Sequence, residues 1–156
     1  MLLRDGSVAR HYNKSKYKPQ YPNKYKGDPT NIICRSSWER KFARYCDLNE
    51  NVLEWQSEEF CIPYRSPIDN RVHRYFPDFF IKYRDSNGKI KSSLIEVKPL
   101  RQTTPPPKPK RQTKGYIYEV YEYAKNQAKW KAAEEFCKDR LWEFKVLTEE
   151  DLGINK

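Results

Sequence analysis

Two carboxylates and a lysine stand in apolar surroundings in the middle of this sequence. Asp78 follows Pro77 inside the aromatic run HRYFPDFFIKY, and Glu96 and Lys98 stand two residues apart in LIEVKP. Two neighbouring carboxylates resist ionising together, and a divalent cation removes that conflict. Mg²⁺ suits such a pair because it takes few carboxylates and keeps several of its waters. With a lysine to orient or activate the attacking water, this group predicts metal-assisted hydrolysis of a phosphodiester bond.

Each of these residues also has a simpler interpretation. Glu-x-Lys on a strand is common on solvated faces, and Pro-Asp is a frequent turn dipeptide. A third acidic candidate, Glu39, comes three residues after Ser36 and could complete a capping box at the start of a helix. The apolar neighbours of Asp78 and Glu96 favour the chemical interpretation, because charges on apolar strands need partners.

The elements around these residues predict how they are brought together. Strands are predicted over 52–56, 59–64, 89–97 and 71–84, the last with a bulge or edge at its proline. Asn87-Gly88 is a strong signal for a two-residue hairpin, which folds the strand of Asp78 back against that of Glu96. Period-two alternation then places Glu96 and Lys98 on one face.

Helices are predicted before and after these strands. The first begins at Ser36 and ends near residue 49, and the second covers about 115–140, followed by a last strand over 142–147. The predicted buried face of the second helix consists of Ile117, Tyr121, Ala124, Ala128, Ala132 and Phe136. The order helix, strands, helix, strand predicts an α/β fold in which helices flank a mixed central β-sheet in a single domain.

Basic residues are concentrated in two segments of the chain, whose net charge is +10. Residues 1–30 hold seven Lys or Arg against two acids, and the proline-rich loop 99–115 holds five Lys or Arg and no acid. The distribution indicates DNA as partner. We expect residues 1–30 to form a basic, Tyr-rich arm that lacks regular structure and is poorly ordered alone, and residues 31–156 to form the domain. The arm could instead lie on the protein's own surface or dock on a partner protein.

The cysteines and the hydropathy indicate the compartment. Cys34, Cys46, Cys61 and Cys137 form no C-x-x-C pair, so free thiols in a reducing compartment are expected. Apolar runs long enough to span a membrane are missing from the sequence, so we expect no membrane association.

The same motifs resemble those of a known superfamily. Pro77-Asp78 followed by Glu96-Val97-Lys98 resembles the PD-(D/E)XK signature, and Arg35-Ser36-x-x-Glu39 resembles its additional acidic position. The chain after about residue 17 is similar to the head completion nucleases of T-even-like tailed phages. That similarity is carried by Tyr25-Lys26-Gly27-Asp28-Pro29-Thr30, Glu54-Trp55-x-Ser-Glu-Glu, His73-Arg-Tyr-Phe-Pro-Asp-Phe, Asn126-Gln-Ala-Lys-Trp and Trp142-Glu-Phe. Residues 131–148 also resemble the transposon end-cleaving endonucleases of the TnsA kind.

The resemblance implies a restriction-endonuclease-like core and a Mg²⁺-dependent DNA endonuclease in which Mn²⁺ can substitute. It implies action at the portal end of a filled capsid, in the cytoplasm of the infected host cell or in the virion, with portal or neck proteins as partners. Asp78, Glu96 and Glu39 would bind the metal, and Lys98 would serve the attacking water. Gln127 falls where some members carry a catalytic helix glutamine, although an exposed helix position explains it equally well.

Other residues are assigned to DNA or to solvent. Because side chains alternate along a strand, Arg74 is expected to share the face of Asp78. It could contact a phosphate there, but an ion pair with a carboxylate is favoured slightly. The remaining DNA-binding candidates are Lys16, Lys18, Lys108, Lys110, Arg111 and Lys114. The pair Glu58-Glu59 precedes a strand; one of the two could approach the metal, but such a pair at a strand edge is expected to be solvated.

Several alternatives stay open on the sequence alone. The chief one is a DNA- or portal-binding structural protein with a nuclease-like fold. A restriction-type enzyme is disfavoured because the chain has little room for a separate recognition domain. A junction resolvase on the same fold stays open, because function depends on the site and its surroundings. A homodimer also stays open, because many enzymes of this fold pair to cut two strands.

Overall fold

The computed structural model describes residues 14–154, so residues 1–13 of the predicted arm lie outside the described residues. The described chain forms eight strands and two α-helices. They are β1 (Ser15–Tyr17), β2 (Ile32–Cys34), α1 (Ser37–Leu48), β3 (Val52–Ser57), β4 (Ile62–Arg65), β5 (Val72–Tyr75), β6 (Phe79–Arg84), β7 (Ile90–Val97), α2 (Lys114–Asp139) and β8 (Glu143–Leu147).

The central sheet has four strands in the order β3-β6-β7-β8. β6 pairs antiparallel with β3 and β7, whereas β8 lies parallel to β7 after the chain crosses over through α2. Both faces of this sheet are covered, so apolar residues alternate between two cores. Phe79 and Ile81 pack with Phe42 of α1, whereas Phe80 packs with Trp130 of α2. The predicted mixed sheet flanked by helices is confirmed.

The strand predicted over 71–84 is split in two. β5 pairs with β4 in a separate two-stranded sheet, and β6 lies in the central sheet. Pro77 is fully buried between them, and it has no N–H to continue a ladder. The predicted irregularity at this proline is therefore a complete break, which leaves Asp78 at the start of a central strand.

The helix boundaries agree with the prediction, but the buried face of α2 agrees only in part. Ser36 caps α1 by accepting a hydrogen bond from the Glu39 N–H, and α2 begins after Thr113. The predicted face is only partly right, because Ala128, Ala132 and Phe136 pack against the core whereas Tyr121 is 53% exposed. The buried residues of α2 are Asn126, Trp130, Ala133 and Cys137. Apolar side chains surround α2 on several faces, so their spacing favoured no single stripe.

The segment from Ser15 to Tyr25 packs against the core through its two buried tyrosines, Tyr17 and Tyr25. β1 pairs with β2, and the rings of Tyr17 and Tyr25 meet Trp55 edge to face, with centroids 6.0 and 4.7 Å away. The prediction of an arm without regular structure is wrong for these residues. Large aromatic rings among basic residues resemble a base-stacking surface, but here they fill the space beneath α1.

Asp47 fastens this segment to α1. Its buried carboxylate accepts hydrogen bonds from the Tyr17 hydroxyl at 2.7 Å and from the backbone N–H groups of Gln20 and Tyr21 at 2.7 and 2.9 Å. Lys24 donates to the Asp47 carbonyl oxygen at 2.9 Å. These bonds satisfy buried polar groups that would otherwise lack partners.

The cysteines are all free, as predicted. Burial raises the pKa of the Cys34 thiol to about 11, and burial also raises the pKa of Cys46. These two thiols therefore act as core packing. Within residues 14–154, neither helix combines the length and the apolar character that crossing a membrane requires.

Asp47→Ala tests the attachment of the N-terminal segment. We expect the free energy of unfolding to fall by about 3 kcal/mol, because the substitution leaves the buried donors of Tyr17, Gln20 and Tyr21 without an acceptor. Urea unfolding followed by tryptophan fluorescence measures the change, with Glu50→Ala, an exposed acid just beyond α1, as control. Equal stability of the two variants would contradict the assignment.

Candidate active site

Asp78 is held from two sides at the point where β3, β6 and β7 come together. Its Oδ2 accepts a hydrogen bond from the Val97 N–H at 2.7 Å. Its carbonyl oxygen accepts a bond from the Glu58 N–H at 3.0 Å. The backbone of Asp78 is therefore fixed by the residue after β3, and its side chain is fixed by the end of β7.

Glu96 and Lys98 lie beside Asp78, as the sequence predicts. Glu96 is only 5% exposed, and its Oε1 accepts a hydrogen bond from the Tyr75 hydroxyl at 2.9 Å. The Lys98 Nζ lies 3.6 Å from the Glu96 Oε2. The second carboxylate and the lysine are thus in contact with each other at the end of β7.

The carboxylates of this site interact unfavourably with one another. Burial raises the pKa of Asp78 well above its ordinary value, and the nearby Glu96 and Glu39 raise it further. Burial also raises the pKa of Glu39, to which Glu58 adds. Folding therefore concentrates negative charge in a poorly solvated place, and a bound cation would offset it.

A third carboxylate from the end of β3 joins Asp78 and Glu39. Ligand oxygens of Glu39, Glu58 and Asp78 lie within 4.8 Å of one another. The prediction that Glu58 is solvated is wrong, because only 27% of its side chain is exposed and Arg35 binds it with two bonds of 2.8 and 3.1 Å. Clustered carboxylate oxygens are the hard donors that Mg²⁺ takes, so this donor set fits the predicted metal.

Glu39 combines the two roles considered for it. Its backbone N–H donates to the Ser36 hydroxyl oxygen at 3.1 Å, which caps α1. The Ser36 hydroxyl in turn lies 3.4 Å from the Glu39 Oε2, and the Arg35 N–H lies 3.5 Å from Oε1. These long contacts leave the carboxylate available to the cluster while the helix start fixes its position.

Gln127 does not face this site. It is exposed on α2, whereas Lys129 on the same helix is half-buried beside Glu96. The Lys129 Nζ lies 5.7 Å from the ring centroid of Tyr75, whose hydroxyl binds Glu96. Burial lowers the pKa of Lys129, and the neighbouring Lys98 lowers it further.

The basic residues predicted to bind DNA lie on the surface. Arg74 is exposed, with its guanidinium carbon 6.0 Å from the ring centroid of Phe76. The ion pair favoured for it is wrong, because Arg74 forms none within residues 14–154. Alternation could not carry over from Asp78, since β5 and β6 belong to different sheets. The other candidates, Lys16, Lys18, Lys108, Lys110, Arg111 and Lys114, are all exposed.

Comparison with known proteins agrees with this geometry. A family model described as TnsA-like endonuclease N terminal matches residues 49–149, which include Asp78, Glu96 and Lys98. The chain belongs to the TnsA-like endonucleases. This TnsA-like endonuclease is also 38% identical over 141 residues to the head completion nuclease of Enterobacteria phage T4, covering 88% of this chain and 91% of that relative. The resemblance predicted from the motifs is confirmed, and with it an endonuclease.

The raised pKa of Asp78 predicts how stability depends on pH without metal. Between the ordinary carboxyl pKa and the raised one, the folded state binds more protons than the unfolded state, so stability falls as pH rises through this interval. Asp78→Asn removes that ionisation. In EDTA, we expect the variant to gain at least about 1 kcal/mol relative to wild type between pH 5 and pH 8.

Urea unfolding at the two pH values measures this difference. Adding Mg²⁺ at pH 8 should stabilise the wild type more than Asp78→Asn, because binding to the folded state alone raises stability. Parallel pH profiles for the two proteins would mean that Asp78 is not the crowded carboxylate of the site.

Proposed function

We propose that this TnsA-like endonuclease is a Mg²⁺-dependent enzyme that hydrolyses phosphodiester bonds in DNA, with Mn²⁺ able to replace Mg²⁺. The observation that carries the proposal is the convergence of Glu39, Glu58, Asp78 and Glu96 on one place, with Lys98 in contact with Glu96. Folding brings these four carboxylates together although their mutual repulsion disfavours the arrangement, and a divalent cation would offset that repulsion.

The residues divide the chemistry among them. Asp78 together with Glu39, Glu58 and Glu96 would hold Mg²⁺, which when bound lowers the pKa of water and stabilises charge on the phosphate. The Val97 N–H and the Tyr75 hydroxyl fix the orientations of Asp78 and Glu96. Lys98 orients the attacking water or offsets the charge that develops on the phosphate.

Lys129 adds a second positive charge near the same place. Burial and the nearby Lys98 both lower the pKa of Lys129. A phosphate between the two ammonium groups would relieve their repulsion. We infer that Lys129 lies on the substrate side of the site.

The biological setting is proposed from the relative. The protein from phage T4 that is 38% identical to this chain is named a head completion nuclease. We infer that this chain serves head completion in the infected host cell, processing packaged DNA at the capsid portal before the tail joins. Portal or neck proteins are its proposed partners, and the virion is a second proposed location.

The exposed basic residues are proposed to hold the DNA backbone. Lys108, Lys110, Arg111 and Lys114 come from the proline-rich loop, which begins immediately after Lys98. Lys16 and Lys18 lie in and just after β1, whose Ser15 accepts a bond from Arg40 of α1 at 3.1 Å. Both groups are therefore attached to elements that also carry site residues.

Plasmid cleavage by Asp78→Ala and Lys98→Ala tests the nuclease. We expect wild type to nick or linearise plasmid DNA with Mg²⁺ or Mn²⁺ and not with EDTA, and both variants to lose at least about 100-fold in rate. Lys131→Ala, an exposed lysine of α2, is the charge-matched control and should cleave as wild type does. A folded wild type that binds DNA without cutting it would favour the structural DNA- or portal-binding protein.

The salt dependence of DNA affinity tests the loop. Replacing Lys108, Lys110 and Arg111 together by Ala should reduce the slope of log affinity against log salt by about 2–3, because each phosphate contact contributes about 0.9. Fluorescence anisotropy of a labelled duplex measures the slope. The control replaces the exposed Lys89, Lys131 and Lys138 by Ala, which removes the same charge from other surfaces. Equal slopes for the two triple variants would exclude the loop from DNA binding.

A further inference from the structure

A cavity of about 480 Å³ lies beside the active site, between the proline-rich loop and α2. Lys98 lines it, so the cavity adjoins the place where the phosphate is proposed to react. Its other walls include Arg101 and Pro107 from the loop and Glu119, Tyr123 and Asn126 from α2. None of the functions considered so far uses this space.

We propose that the cavity receives one unpaired base of the DNA strand next to the phosphate that is cut. The proposal rests on the proposed nuclease function and specifies its substrate as DNA with an unpaired or displaced nucleotide at the cleavage site. A base inside an intact duplex is stacked and paired, so it must be unpaired or turned out of the helix to enter such a space.

Asn126 provides the first evidence for a ligand. Its side chain lines the cavity and is only 6% exposed, and it has no hydrogen-bond partner within residues 14–154. The side chain therefore presents its amide to the cavity and not to a partner in the described protein. The same amide offers a donor and an acceptor side by side, the pattern that pairs with the edge of a base.

The residues that line the cavity include surfaces on which a flat ring can stack. Tyr118 and Tyr123 on α2 and Pro106 and Pro107 on the loop are among its lining residues. Aromatic side chains bind bases by stacking with little regard to sequence. The loop wall is preformed, because proline fixes the backbone and the Leu100 N–H donates to the buried Glu149 carboxylate at 2.6 Å.

The charges of the cavity separate a base from a phosphate. Glu119 and Glu122 line the α2 side, and they would repel a phosphate but can accept hydrogen bonds from the amino groups of a base. Lys98 and Arg101 lie on the other side, where they can hold the backbone phosphate. These charges favour a neutral base inside the cavity and a phosphate at Lys98.

Two labelled duplexes test this inference. In the first duplex the central nucleotide of the labelled strand is paired. In the second duplex the opposite strand lacks one nucleotide at that position, so the central nucleotide is unpaired. Affinity is measured by fluorescence anisotropy with Ca²⁺ in place of Mg²⁺. We expect wild type to bind the gapped DNA about tenfold more tightly. Tyr123→Leu and Asn126→Leu should each lose most of this preference, whereas Tyr121→Leu, at a 53% exposed position on the same helix, should keep it.

The outcome separates this inference from the nuclease itself. Equal affinity of wild type for the two duplexes, or a preference that both cavity variants retain, would overturn the cavity assignment even if plasmid cleavage is metal-dependent. The partly exposed Tyr123 gives a variant that keeps the core intact if Asn126→Leu does not fold. A tenfold preference that both cavity variants lose would support the cavity even in a protein that does not cut.

Discussion

Carboxylates that share a place with little water repel one another, and this repulsion determines how the rest of the molecule is organised. Asp78 is the centre of the conflict, with Glu96 on one side and Glu39 and Glu58 on the other. The start of α1 and the ends of β3 and β7 meet at this point and supply the three carboxylates around Asp78. The split between β5 and β6, the capped start of α1 and the end of β7 all serve this convergence. The cations of Arg35, Lys98 and Lys129 are arranged around it and reduce the repulsion only in part.

The N-terminal segment takes part in the site through the end of β3. The Ser57 N–H donates to the Tyr25 hydroxyl at 3.2 Å, and the Lys26 N–H donates to the Trp55 carbonyl oxygen at 2.9 Å. Glu58 is the residue that follows β3. Tyr25 and the residue after it therefore support the position of a carboxylate of the acidic cluster. Deleting residues 1–24 would remove Tyr17 from the core. The effect of that deletion would therefore report on folding and not on DNA binding.

The sequence predicted most of the site because its chemistry depends on local spacing. A hairpin signal and a two-residue period were enough to bring Asp78, Glu96 and Lys98 together. Glu58 and Lys129 could not be found in this way, because each reaches the site through a tertiary arrangement. The direction of Glu58 depends on an unusual backbone angle, and that of Lys129 on how α2 is rotated. The face of α2 was mispredicted in part for the same reason, since only packing against β4 and the sheet selects Trp130 over Tyr121.

Glu58 has a backbone φ of +55°, in the left-handed region that glycine, asparagine and aspartate tolerate better than glutamate does. At this position the backbone conformation favours glycine, whereas the acidic cluster needs a carboxylate. Glycine here would relieve the backbone strain, but it would remove a carboxylate from the cluster together with the acceptor of both Arg35 bonds. A glutamate held in this conformation therefore indicates that the cluster needs its carboxylate. Its loss would be an early sign that a descendant had kept the architecture and abandoned the reaction.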